Sequence, residues 1–283
     1  MIDGGVDSRH PDLRDRIVAT IDCVGADGEP SRCRDGGDTD PDGHGTHVAG
    51  IAVATEGNRR GIAGIAPDAD LLAVRALSPS SCDRRPCGST GPAEDVAAGV
   101  RWAVAEGADV INLSIGAGAG SGRDELLRAI DEAWDAGVIV VAAAPSDAGG
   151  EPFTDTPAVV VTAVGADAVV AGYARGVPGA RWALAAPGGS ERAPGGDGCR
   201  DDRAVESTLP VPGGESDATG CLVGTSMAAP HVSGAVALLL ADGRTPEETV
   251  RALLDTARDL GPEGDDDTYG AGLLDVAAAV GEP

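Results

Sequence analysis

The 283-residue chain contains no lysine, so all 21 of its basic residues are arginine; against 46 acidic residues they leave a formal net charge of −25. A surface that acidic repels phosphate backbones and anionic headgroups, so nucleic acid and membrane surfaces are poor partners. Aromatic side chains are almost missing, with one Phe, two Tyr and three Trp. A core must then be built from Ala, Val, Leu and Ile. The longest apolar runs, residues 138–144 and 234–241, fall well short of the ~20 residues that cross a bilayer. No signal peptide opens the chain, because Met1 is followed at once by Ile2 and Asp3. Glycine is abundant but follows no G-X-Y period, which excludes collagen. A hydrophobic fraction of 42% with 24% charged residues belongs to a globular protein and excludes wholesale disorder.

The six cysteines form no C-x-x-C metal knuckle. They fall into couples close in sequence, and the pairs Cys23–Cys33, Cys82–Cys87 and Cys199–Cys221 are expected, each closing a short loop. Such bridges imply an oxidising compartment. A secreted or cell-surface location is therefore expected, together with a chain truncated at its N-terminus.

Residues 71–77 read as a strand and 90–107 as a helix with Val96, Val100 and Ala103 on one face. Strands follow at 109–114, 138–144 and 158–164. Residues 121–136 read as a helix with Ser121 as N-cap and Asp124 at N3, and 225–240 as a long apolar helix. Thr245-Pro246-Glu247-Glu248 opens another helix with a cap, a proline at N1 and an acid at N3. Strands alternating with helices imply an α/β protein whose parallel sheet carries helices on both faces. Residues 25–43 and 187–220 are rich in Gly, Pro and Asp and read as surface loops. With no internal repeat and no long linker, residues 1–283 read as one domain.

Three short segments carry chemistry-bearing residues: Ile2-Asp3-Gly4-Gly5-Val6, Asp42-Gly43-His44-Gly45-Thr46-His47 and Gly224-Thr225-Ser226-Met227-Ala228-Ala229-Pro230-His231. An acid, a histidine and a serine each sit where a strand ends or a helix begins, which points them into the crevice at the carboxyl edge of a parallel sheet. His44 and His47, at i and i+3, could be half of a metal site, but no third ligand stands at helical spacing. His47 and His231 read as packing residues, and His10 belongs to a turn.

These motifs, in this order, resemble those of the subtilisin-like serine proteases. Gly64-Ile65-Ala66-Pro67, Val110-Ile111-Asn112-Leu113-Ser114-Ile115-Gly116, Ala186-Pro187-Gly188 and Tyr269-Gly270-Ala271-Gly272 extend the resemblance over nearly the whole chain. The resemblance implies a three-layer subtilisin-like fold and a serine endopeptidase working through an acyl-enzyme. Ser226 would be the nucleophile, His44 its base and Asp3 the group that orients the imidazole. Ser226 would also contribute its backbone N–H to the oxyanion site. Ser114, Ile115 and Gly116 would take an extended peptide as an added strand, beside Ala143 and Ala144. Polypeptides would be the substrates and a monomer is expected. The chemistry would need no cofactor, although many relatives bind structural calcium. Asp38, Asp40 and Asp42 and the run Asp265-Asp266-Asp267 are acidic enough to be considered, but neither has EF-hand spacing, and both read better as solvated loops.

The chain departs from the family pattern in three places. Where relatives carry Gly-Asn after the strand ending at Ala144, this chain has Pro145-Ser146, so the second oxyanion donor would be the shorter Ser146 hydroxyl. Gly4 stands where Ser or Thr usually follows the acid, which predicts a less well held Asp3. Only Met1 and Ile2 precede Asp3, and an upstream strand rich in Val, Ile and Ala is expected. The alternative reading is a catalytically impaired or inactive relative that still binds peptides.

Overall fold

A computed structural model of the chain describes residues 1–82, 85–116, 121–146, 152–190, 199, 203–210 and 217–281. In chain order its elements are β1 (Ile2–Asp3), β2 (Ile17–Asp22), α1 (His44–Val53), β3 (Leu71–Arg75), the hairpin β4 (Ser78–Cys82) and β5 (Arg85–Thr90), then α2 (Ala93–Ala105), β6 (Val110–Leu113) and α3 (Ser121–Asp135). There follow β7 (Ile139–Ala143), β8 (Ala158–Val164), β9 (Trp182–Pro187), the hairpin β10 (Val205–Thr208) and β11 (Thr219–Leu222), α4 (Thr225–Ala241), α5 (Pro246–Asp255) and α6 (Val276–Val280). Seven strands form one sheet in the order β2-β3-β1-β6-β7-β8-β9, and every neighbouring pair in it runs parallel.

Apolar residues at consecutive positions build the middle layer because each strand is covered on both faces. Along β7, Ile139, Val141 and Ala143 enter the core beneath α4, α5 and α6, while Val140 and Ala142 enter the core shared with α2 and α3. β8 alternates in the same way, with Val159 and Val161 on one side and Ala158 and Val160 on the other. The result is a three-layer α/β fold. At α5 the expected cap is complete: Thr245 Oγ1 accepts the Glu248 N–H at 3.2 Å, and Glu248 Oε2 accepts the Thr245 N–H at 2.9 Å. The helix expected at 121–136 is α3, but the Ser121 side chain proposed as its cap lies outside the described residues. Beyond Met1, along the line of the short β1, a cavity of about 480 Å³ opens between β3 and β6, with Leu72, Ile111, Asn112 and Ser233 in its wall.

The reading of residues 187–220 as a plain loop is corrected. That stretch contains β10, which pairs antiparallel with β11 and lies on α1. β10 escapes an apolar pattern because its buried face is polar. Ser207 Oγ donates to the His47 carbonyl and Thr208 Oγ1 to the Thr46 carbonyl, each at 2.7 Å. Both side chains are fully buried. His47 returns the contact, donating from Nε2 toward the carbonyls of Val205 and Gly220 at 3.1 Å.

Cys23 pairs with Cys33 and Cys199 with Cys221, as expected from their spacing. The side chains of Cys82 and Cys87 lie outside what the structure describes. Among the described residues, no helix is long and apolar enough to cross a membrane. The Cys199–Cys221 bridge closes a loop with a sequence separation of 22, and chain-entropy reasoning gives such a closure about 3 kcal/mol. Replacing both cysteines with serine is expected to lower the unfolding free energy by about that amount, read as a fall in the urea midpoint. An unchanged midpoint would show that the hairpin's polar contacts alone hold it on α1.

Candidate active site

The chain leaves β1 toward β2 and β3 on one side of the sheet and later returns to β6 on the other. The crevice past the carboxyl ends of β1 and β6 is thus the point where the strand order reverses, the usual place for a site in an open α/β sheet. Asp3 ends β1, Ser114 follows β6, His44 is the first residue of α1 and Ser226 the second of α4.

Asp3 is 1% exposed. Its carboxylate accepts from His44 Nδ1, at 3.0 Å to Oδ1 and 2.9 Å to Oδ2. Oδ1 also accepts the Gly4 N–H at 2.7 Å. An ionised carboxylate only accepts, so Nδ1 keeps its proton and, in the neutral ring, Nε2 carries the free lone pair. Such close approach of a helix to a strand end requires a missing side chain. A Cβ at Gly45 would stand 2.1 Å from the Gly5 carbonyl oxygen and 3.0 Å from Asp3 Cβ.

The N-terminus of α1 is capped by acids, as its dipole favours. Asp42 Oδ1 accepts the His44 N–H at 3.0 Å, while Asp40 accepts from Gly43 N at 3.1 Å and Thr46 N at 2.7 Å. Asp42 Oδ2 takes the Ser89 hydroxyl at 2.6 Å. Ser89, on β5, stands beside Gly4, and its hydrogen goes to Asp42 rather than to Asp3. An added Cβ at Gly4 would lie 2.7 Å from Ser89 Oγ, so the space is already filled by another hydroxyl.

Burial pulls the His44 imidazolium down, but the charge and hydrogen bond of Asp3 outweigh it, with Asp42 and Asp40 adding to the pull. The net result raises His44 to about 9. Burial raises Asp40 to about 7 in spite of its two N–H donors. His47 behaves oppositely: burial lowers it to about 4, so it is a neutral packing residue, as its sequence position suggested. His231 Nδ1 faces the Met227 carbonyl at 2.9 Å, and His10 Nε2 donates to the Ala218 carbonyl at 3.0 Å.

Ser226 lies in the first turn of α4. Its hydroxyl donates to the Ser114 carbonyl at 2.9 Å and makes no hydrogen bond to His44 among the described residues. Ser114 Oγ donates in return to the Ser226 carbonyl at 2.8 Å. Of the other expected residues, Ala143 and Ala144 are buried, and Ile115 and Gly116 emerge toward solvent. Ala144 N bonds to Val161 O at 2.9 Å, and its carbonyl accepts the Thr225 hydroxyl at 2.8 Å. Ser146 lies beyond Pro145 and bridges to Ala174. Asn112, Ser233, Thr225 and Ser89 were not singled out in the sequence.

In the acidic loops, Asp40 and Asp42 accept from N–H and O–H donors. Asp266 Oδ1 accepts from Thr268 N at 2.6 Å and Tyr269 N at 2.9 Å, while its Oδ2 is buried with no hydrogen-bond partner among the described residues. Among the described residues, no three or more His, Cys, Asp or Glu side chains are grouped so as to hold a metal.

Fold and site define a three-layer α/β protein with a carboxylate-held imidazole at the switch point of its sheet. The chain belongs to the subtilase family, whose Peptidase S8 profile matches residues 1–272. It is 36% identical over 270 residues to the thermophilic serine proteinase of Bacillus sp. strain AK1, across 95% of this chain and 58% of that one. Subtilisin DY of Bacillus licheniformis is 34% identical, over 99% of this chain and 89% of its own. Thermitase of Thermoactinomyces vulgaris is also 34% identical, over 99% and 87%. A solved protease of Pseudoalteromonas arctica PAMC 21717 superimposes with a TM-score of 0.77 at 32% identity, over 99% of this chain and 87% of that structure.

The imidazole itself can be followed by NMR. His44 is expected to titrate near pH 9, and Asp42→Asn to lower that midpoint by removing one of the charges that raises it. Folded His44 keeps its proton above the pH at which the unfolded residue, with a pKa of about 6.5, loses it. Its contribution to stability is therefore complete below about pH 6.5 and lost as the pH climbs through 9. A His44 signal titrating at the ordinary value, insensitive to Asp42, would contradict this electrostatic reading.

Proposed function

We propose that the chain is a serine endopeptidase that hydrolyses peptide bonds through an acyl-enzyme, with the catalytic unit spanning residues 1–283. The observation that carries this reading is the Asp3–His44 hydrogen bond at 2.9 Å, which leaves Nε2 of the neutral ring as the nitrogen that can accept a proton. Ser226 Oγ attacks the scissile carbonyl carbon and its proton passes to His44 Nε2. The tetrahedral intermediate collapses as the C–N bond breaks, and His44 returns the proton to the departing amine. Water then enters by the same route: His44 takes its proton as the water oxygen bonds to the acyl carbon, and returns that proton to Ser226 Oγ as the ester C–O bond breaks and the carboxylic acid leaves. Asp3 keeps the ring turned and stabilises the imidazolium.

For the attack, Ser226 must turn about its Cα–Cβ bond from the Ser114 carbonyl toward Nε2. Catalytic hydrogen bonds are commonly unformed before substrate is present. The Ser226 N–H and the positive end of α4 stabilise the oxyanion, with the Ser146 hydroxyl as second donor. Ser114, Ile115 and Gly116 take the peptide as an added strand, beside Ala143 and Ala144. The Ser146 hydroxyl is shorter than the asparagine amide of relatives, and removing that amide from a family member costs about 10²–10³ in turnover. Reduced activity follows, which favours a second reading in which the cleft binds peptides without cleaving them. The disulfides Cys23–Cys33 and Cys199–Cys221 support a place of action outside the cell or at its surface.

A fluorophosphonate probe is expected to label the wild-type protein and not Ser226→Ala; a folded wild type that binds peptides but never labels supports the binding reading. The rate on a peptide substrate should rise with pH to a plateau above about 9, since only neutral His44 accepts the Ser226 proton. An acid limb centred near an ordinary imidazole value would show that Asp42 and Asp40 do not act on it. Ser146→Asn is expected to raise turnover by ~10-fold or more with little change in KM, as an improved oxyanion donor should.

A further inference from the structure

A helix carbonyl normally accepts the N–H four residues ahead. For Ser226 that residue is Pro230, inside α4, and proline has no N–H to give. The carbonyl of the proposed nucleophile therefore loses its helical partner, and it is here that the buried polar chain behind the site ends. Ser233 Oγ lies 2.9 Å from Asn112 Oδ1 and 3.2 Å from the Ala229 carbonyl. Asn112 Nδ2 donates to Ser114 Oγ at 2.9 Å and faces Met1 Sδ at 3.2 Å. Ser114 Oγ, having accepted from the amide, sends its single hydrogen to the Ser226 carbonyl at 2.8 Å. Asn112 and Ser233 are each 3% exposed and Ser114 2% exposed, so the bonds are shielded from bulk solvent, although Asn112 and Ser233 also border the cavity beyond Met1.

The direction of the chain is fixed by its chemistry. A hydroxyl has one hydrogen, and an amide has a donor end and an acceptor end. The Ser226 carbonyl can only accept, so Ser114 Oγ spends its one hydrogen there and accepts from Asn112 Nδ2, which turns Oδ1 toward the Ser233 hydroxyl. We infer that Asn112 and Ser233 are positioning residues for Ser226: acting through Ser114, they replace the helical hydrogen bond that Pro230 removes and so set the orientation of the first turn of α4 from which the nucleophile projects. The proline makes room for a cross-link between α4 and β6 that an ordinary helix would exclude. The first turn is then held by the same residue, Ser114, that begins the peptide-binding segment. The inference rests on the proposed role of Ser226 and adds to it the part played by residues that touch neither substrate nor imidazole.

The test compares Ser233→Ala, Asn112→Asp and the double variant Ser233→Ala with Pro230→Ala. It measures the second-order rate of Ser226 labelling by a fluorophosphonate, kcat and KM on a peptide, and Tm. Ser233→Ala should slow labelling by ~5-fold, the rate equivalent of one neutral hydrogen bond, with KM changed by less than ~2-fold. Asn112→Asp should slow it further, because a carboxylate cannot donate to Ser114 and turns that hydroxyl away from Ser226. Pro230→Ala returns an N–H at the fourth position and should restore part of the rate lost in Ser233→Ala. If the chain only supports the fold, Tm falls while labelling stays at the wild-type rate and Pro230→Ala rescues nothing; that result overturns the inference. Should Asn112→Asp fail to fold, Ser233→Ala with and without Pro230→Ala decides the matter. A folded wild type that never labels removes the nucleophile assignment itself, and the inference falls with it by a separate route.

Discussion

The site depends on how deeply the start of α1 sinks against the end of β1. His44 reaches the buried Asp3 carboxylate because Gly45 rests on the Gly5 carbonyl with no side chain between them, an approach a Cβ would obstruct at 2.1 Å. Everything else about the imidazole follows from that contact. It puts the proton on Nδ1, leaves Nε2 as a base, and places the ring within the field of Asp40 and Asp42, which cap the same helix. The carboxylates that satisfy orphan backbone donors at this helix end are also those that make His44 more basic. Helix capping and the tuning of the base are one arrangement.

A second constraint is the satisfaction of polar groups in a core with almost no aromatics. Small hydroxyl side chains carry much of the cross-linking between layers: Ser207 and Thr208 onto α1, Thr225 onto Ala144, and Ser114 onto Ser226. Each is short enough to lie between closely packed backbones without opening a void. Neutral buried hydrogen bonds of this kind contribute about 1 kcal/mol apiece, and leaving either partner unmade costs more. They fix geometry rather than supply the bulk of the stability, which comes from the Val, Ala, Ile and Leu of the sheet and its helices.

The parts legible in the sequence were those where one physical rule dominated. Continuous apolar runs exposed β7 and β8, and the run 245–248 disclosed the capped start of α5. The strand-end and helix-start placement of Asp3, His44 and Ser226 pointed to one crevice. β10 stayed hidden because Val205-Glu206-Ser207-Thr208 buries hydroxyls rather than methyls, and no hydropathy period reports that. β1, at two residues, is too short for any period. Ser89 stayed hidden for a different reason: its place beside Gly4 and Asp42 is made by a hairpin far along the chain, and nothing local in either segment announces the other. The same holds for Asn112, which in sequence is one polar residue in a strand and in space is the middle of a chain between two elements.

The Cys199–Cys221 bridge has a consequence for endurance. β11 runs into the segment that carries Ser226, and β10 lies on the helix that carries His44, so the bridged stretch joins the two halves of the site. A single hydrolytic nick anywhere between the two half-cystines leaves both new chain ends attached through sulfur. The severed pieces then remain one covalent molecule for as long as that cystine stays oxidised.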